Sequence, residues 1–253
     1  MRFAVCLTLV AVTTARALAA APFDHGVWDE ILARDVDDAG RVAYRTIAER
    51  DRGRLDGYLH ALSLERPGGW PRNEQIAFWL NAYNAMIVKA VIEGNSAEGV
   101  VARYRLFSHF TLPIGAELVT PDGVERRLRA FHEPRVHFAL VCASSSCPRL
   151  RRRAWRGDTL EQDLEEETTR FVRDPLRNEI LVGAPEIRLS RIFDWYRDDF
   201  GGSDAAVRKW VVRYLEERER SWLERDQPPI GYLEYDWTLN AQQGQRPKGG
   251  TKG

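Results

Sequence analysis

The apolar positions of the chain fall into a few strong patterns. From Asn73 to Ile92 nearly every position is apolar, interrupted only by Asn81, Tyr83, Asn84 and Lys89 beyond the first turn. A helix that is apolar all round belongs in the middle of a protein. The pattern therefore predicts one fully buried helix over residues 73–92, ended by Gly94. Other segments are one-sided. Leu55, Leu59 and Leu62 recur at helical spacing, as do Trp28, Ile31 and Leu32 in a first helix over 23–32. Leu160, Leu164 and Phe171 mark the inward face of a helix over 159–172, and Ala206, Val207, Trp210, Val211, Tyr214 and Leu215 that of one over 204–217. Shorter runs read as strands: an extended pair around Gly115, a doubly apolar strand from Val136 to Val141, a hairpin around residues 183–185, and a last strand from Ile230 to Trp237. This order predicts a single domain of α/β or α+β class, helix-rich, with a small central sheet and one buried helix.

The N-terminus modifies the picture. Arg2, the apolar run from Phe3 to Val12 and Ala17-Leu18-Ala19 have the order of a secretory signal, so residues 1–20 read as a leader and the chain as exported, to a periplasmic or extracellular location. The apolar run is too short to anchor a mature chain across a bilayer. Residues 21–240 then form the domain, and the Gly-, Gln- and Lys-rich end, 241–253, reads as a disordered tail. Lysine and arginine balance aspartate and glutamate at 37 each, and losing Arg2 and Arg16 with the leader makes the remainder slightly acidic. Such a balance excludes nucleic acid as a bulk electrostatic partner. No motif calls for a cofactor, and no Cys/His spacing suits a structural metal. A small molecule or a peptide is the remaining kind of partner.

Export also changes the cysteine count. Cys6 leaves with the leader, and Cys142 and Cys147 remain, five apart across Ser144, Ser145 and Ser146. In an oxidising compartment that spacing invites a disulfide. As thiols they suggest other chemistry. On a regular strand His137 and Cys142 point to opposite faces, which places Cys142 in the core. Cys147 then becomes the candidate nucleophile, with Pro148 favouring a helix start beside it and His137 as base. Asn81 and Asn84 lie three apart on one face of the buried helix, so their amides must either satisfy irregular backbone or line a pocket. The serines, with Arg149 and Arg153, offer donors to an anionic group. Asp194, Asp198 and Asp199, in an aromatic segment from Ser190 to Phe200, are available to orient a histidine.

With these residues in hand, the chain resembles the DUF547 family, a domain of unknown function. The resemblance rests on Phe78-Trp79-Leu80-Asn81-Ala82-Tyr83-Asn84, on the block from Pro134 to Pro148, on Leu189 to Phe200, and on Tyr235 to Asn240. It extends over roughly residues 23–240. It implies an exported single-domain protein of bacterial type and brings no agreed catalytic residue. Three readings of function remain: a cysteine-dependent hydrolase or transferase using Cys147 and His137, with Asn81 or Asn84 orienting groups; a non-catalytic binding module with a loop pinned by a Cys142–Cys147 disulfide; and a thiol redox role.

Overall fold

The computed structural model describes residues 23–247. The leader predicted for residues 1–20 lies outside them. The long apolar pattern is one helix, Arg72–Ile92, in which every residue from Ile76 to Ile92 is buried. It starts directly after Pro71, a residue that cannot extend a helix toward its N-terminal side. It stops where Gly94 takes a φ of +90° and Asn95 N–H returns to the Ala90 carbonyl, a left-handed ending that glycine adopts without strain. Its buried cation, Lys89, is tied to Asp56 at 2.6 Å and Glu93 at 2.7 Å.

Amphipathic helices surround this rod. Arg52–Leu64, itself covered by Gly26–Asp35, packs on it from the N-terminal part of the chain, and Pro121–Arg129 and Leu160–Arg173 from the middle. Thr120 caps the Pro121–Arg129 helix by accepting from Gly123 N–H at 3.1 Å. A second apolar cluster gathers Phe138, Phe171, Phe193, Phe200, Val207, Val211 and Leu223. It is built on the Asp204–Val212 and Glu217–Asp226 helices, which replace the single helix expected over 204–217.

The fold is α+β and helix-rich, in one domain. The expected central sheet is instead two separate pairs. Leu112–Ile114 and Glu117–Val119 form an antiparallel hairpin, and Ile187–Leu189 lies parallel to Ile230–Tyr232. The hairpin expected around residues 183–185 is reduced to one bridge, Glu179 to Arg188.

Two sequence expectations are corrected. Val136–Val141 is not a strand: Pro134–Phe138 is a 3-10 helix, followed by irregular chain. Pro134 presets the first turn, and no neighbouring strand offers a ladder. Val136, Ala139, Leu140 and Val141 belong to the cluster around the central helix, whereas Phe138 belongs to the second. The segment is thus the seam between two cores. Nor is the chain free from residue 241: Ala241 bridges to Val42, Gln242 Nε2 donates to the Asp35 and Arg41 carbonyls, and Gln245 accepts from Thr46 Oγ1 at 2.9 Å. Polar side chains there find backbone partners on the N-terminal segment, which composition alone does not reveal.

Candidate functional site

The two asparagines of the central helix fix the seam. Asn84 Nδ2 donates to the Ala139 carbonyl and its Oδ1 accepts from Val141 N–H, both at 3.0 Å. Asn81 treats Trp155 in the same way, donating to its carbonyl at 2.8 Å and accepting from its N–H at 2.9 Å. Each amide replaces a missing strand partner for buried irregular backbone. Neither asparagine lines a cavity described below.

Beyond Val141 the chain turns sharply at Ala143, which is fully buried with a φ of +62°. Cys142 and Cys147 are joined as a disulfide. The loop between them is clasped by the C-terminal segment. Ser145 N–H donates to the Thr238 carbonyl at 2.7 Å, Ser146 N–H to that of Asp236 at 3.1 Å, and Asn240 N–H to that of Ala143 at 3.1 Å. The serine hydroxyls are engaged too. Ser144 contacts Cys147 Sγ and Tyr235, Ser145 pairs with Thr238, and Ser146 accepts from Asp236 N–H. The arginines after the loop are ion-paired: Arg149 forks onto Glu167, and Arg153 reaches Asp163 at 2.6 Å.

The disulfide loop separates two cavities. On one side is an open cleft of about 830 Å³ that includes Ser144, Ser145 and Arg149 but neither Ser146 nor Arg153. On the other is a smaller cavity of about 150 Å³ into which Cys142, Cys147, His137, Tyr83, Asp122, Glu125, Tyr196, Trp195, Tyr235 and Trp237 converge. The 3-10 turn, unlike a strand, brings His137 and both cysteines to this one space.

His137 is almost wholly buried and stacks on Tyr196 with ring centres 3.9 Å apart. Its Nε2 meets Asp199 Oδ2 at 2.7 Å, and Asp199 is gripped through both oxygens by Arg129 at 2.6 and 3.1 Å. The hydrogen bond from His137, helped by Arg129, holds the Asp199 carboxyl well below the usual range. Burial lowers the His137 pKa despite Asp199, so the ring is neutral near pH 7. A neutral ring facing a carboxylate carries its proton on Nε2 and leaves Nδ1 with a lone pair. In the same cavity Glu125 is raised above the ordinary carboxylate range by burial, which the nearby Tyr196 hydroxyl offsets in part. Tyr235, whose hydroxyl lies 3.3 Å from Cys147 Sγ, is pushed up to about 12 by burial.

Of the residues anticipated from sequence, His137, Cys142 and Cys147 share the cavity; Asn81, Asn84, Ser146 and Arg153 line neither space. Asp199 does orient the histidine. Asp122 and Glu125 carry no sequence signal beyond an acidic pair on a short helix. Trp195, Tyr196 and Trp237 form cavity wall, and Trp195 remains 47% exposed at its edge.

The fold and site define a single-domain α+β protein whose seam is fastened by buried amides and whose cavity is walled by a disulfide loop. Residues 67–172 match the family described as protein of unknown function, DUF547. The matched stretch holds the central helix, Glu125, His137 and the cysteine loop; Asp199, Tyr235 and Trp237 lie beyond it. No curated protein and no solved structure matches the chain.

Proposed function

We propose that the protein binds a small ligand in the aromatic cavity, with the Cys142–Cys147 loop as a fixed wall. The observation that carries this reading is the convergence of the disulfide, His137, Glu125 and six aromatic side chains on one space between two cores. Perturbed titratable groups gathered in a concave site are the usual mark of function. A sulfur already bonded to another sulfur is not a thiolate nucleophile, which turns the balance from cysteine catalysis to binding. Export, expected from the leader, would keep the sulfurs paired. Among the described residues no helix is long and apolar enough to cross a membrane.

The test has two parts. Thiol labelling with intact-mass readout should give no adduct until reductant is added. A fragment library screened by NMR should then perturb the indole signals of Trp195 and Trp237, with Trp237→Ala weakening the hits. A library that leaves both indoles unmoved overturns the proposal.

A second reading rests on His137 and Cys147 lining the same cavity. Reduction would release a Cys147 thiol beside a neutral imidazole oriented by Asp199, the arrangement of a cysteine hydrolase or transferase. Rapid labelling of Cys147 in the reduced protein, slowed in His137→Ala, is its expected result. Equal labelling rates would remove it. A redox role is the same reaction site used for thiol–disulfide exchange with an external dithiol, and is tested by whether a monothiol opens the bond at micromolar concentration.

A further inference from the structure

The lining of the small cavity has one sign of charge. Asp122 and Glu125 contribute carboxyls from successive turns of the Pro121–Arg129 helix, His137 is neutral, and no lysine or arginine lines the space. The larger cleft is different: its arginines are paired, Arg149 and Arg170 with Glu167, Arg177 with Asp174, Arg41 with Asp37 and Arg173 with Glu216. Asp122 takes a hydrogen bond from Ser108 through Oδ2 at 2.6 Å, which leaves the second oxygen for a ligand. Two cations lie close behind the cavity: Arg129, bound through two nitrogens to Asp199, and Arg103, set against the Trp237 ring.

The remaining wall is aromatic. Trp195, Tyr235 and Trp237 pack on one another with ring centres 4.6 to 5.7 Å apart. Two of the cavity rings already accept cations from residues that do not line it: the Arg103 guanidinium lies 4.3 Å from the Trp237 ring centre and that of Arg129 lies 5.4 Å from Tyr196. Electron-rich ring faces together with carboxylates are the usual recognition chemistry for substituted ammonium groups. The cavity is also small. At about 150 Å³ it is below the ~300 Å³ at which drug-sized sites begin, and suits a single head group.

We infer that the cavity takes a small organic cation, its substituted ammonium group set against Trp195, Tyr235 and Trp237 and its charge met by Asp122 and Glu125. This rests on the reading of the cavity as a ligand site and names the ligand's chemistry. The disulfide loop supplies a rigid, uncharged face opposite the carboxylates.

Choline and tetramethylammonium are the probes, compared with the uncharged isostere of choline in which a quaternary carbon replaces nitrogen. Each is titrated into the oxidised wild-type protein while the indole NMR signals of Trp195 and Trp237 are followed. Choline should shift both signals saturably, and the isostere should bind roughly tenfold more weakly or worse. Glu125→Gln, and independently Asp122→Asn, should each weaken choline by about tenfold and leave the isostere unchanged. Two variants keep the test alive if one fails to fold. Equal binding of choline and isostere, indifference to both variants, or preference for a neutral sugar overturns the cation assignment while the cavity stands as a ligand site. If no cation, isostere, sugar or library fragment moves either indole, both readings fall together.

Discussion

Asn81 and Asn84 on the central helix and His137 and Glu125 at the seam are all polar groups taken largely out of water, yet they are treated in opposite ways. Each asparagine has both its donor and its acceptor engaged by one stretch of backbone. Both polar atoms of each amide are engaged, and neither residue lines either of the two cavities. His137 and Glu125 keep an unused valence: one ring nitrogen on His137, and on Glu125 a carboxyl whose protonation is shifted by burial. Both open onto the same space. Complete satisfaction marks a buried polar group that fastens the fold, and incomplete satisfaction beside a cavity marks one that is kept for a ligand.

The sharpest way to break this contrast is to remove an amide. Asn84→Ala leaves the Ala139 carbonyl and Val141 N–H unpaired in the core, at about 1–3 kcal/mol each, so urea unfolding should show a loss of about 3–5 kcal/mol. Glu125→Gln should cost less than about 1 kcal/mol. Equal costs would erase the distinction.

A buried titratable group inside the scaffold comes next. His25 is bonded through Nδ1 to the Tyr58 hydroxyl at 2.6 Å, and burial, aided by Arg156, lowers its pKa to about 4. Because the folded value is depressed, the unfolded chain binds the proton more readily. The stabilisation is fully present above about pH 6.5 and disappears as pH falls toward 4, a change of about 3 kcal/mol. His137, also depressed, contributes to the same acid window, with the same sign. Stability measured against pH should flatten in His25→Phe; an unchanged curve would assign the whole window to His137.

Opening the disulfide should have a smaller effect. Closing so short a loop stabilises by roughly 2 kcal/mol, so reductant, or the double change Cys142→Ser and Cys147→Ser, should lower Tm by several degrees. Retention of the oxidised Tm would mean that the C-terminal clasp alone holds the wall. A change of only about 1 kcal/mol is expected for Asp199→Asn, because its partner Arg129 is partly open to solvent that screens the pair. Its signature is elsewhere: Asp199 supports the charged imidazole, so its loss should move the NMR titration of His137 further down. An upward move would show that Asp199 does not set the state of that ring.

The central helix was legible because an unbroken apolar pattern admits only a buried rod. The flanking amphipathic helices were legible for a similar reason, in one-sided form. The seam was not. Val136–Val141 has the composition of a buried strand, and composition cannot show that an amide 55 positions away will stand in for the neighbouring strand. The 3-10 turn that Pro134 starts brings His137 to the side of the cysteines, and Asn84 holds the irregular chain that follows it. Asp199 was visible as one of three acids able to orient a histidine, whereas the choice among them depends on Arg129, 70 positions distant. Glu125 and Asp122 gave no signal, since an acidic pair on a short charged helix ordinarily faces water. Trp195 and Trp237 gave no signal as cavity wall because aromatic residues in such segments ordinarily pack.

The clasp over the cysteine loop also bears on how the molecule is made. Synthesis runs from the amino end, and Tyr235 emerges 93 positions after the Cys142 it covers. The cavity is therefore among the last parts to exist, waiting on a segment that also reaches back to Tyr44 and Thr46 near the start of the fold. Until that segment docks, Cys147, only 2% exposed in the finished protein, is open to any oxidant the nascent chain meets. The interval in which the sulfurs are easiest to join is the interval before the chain closes over them.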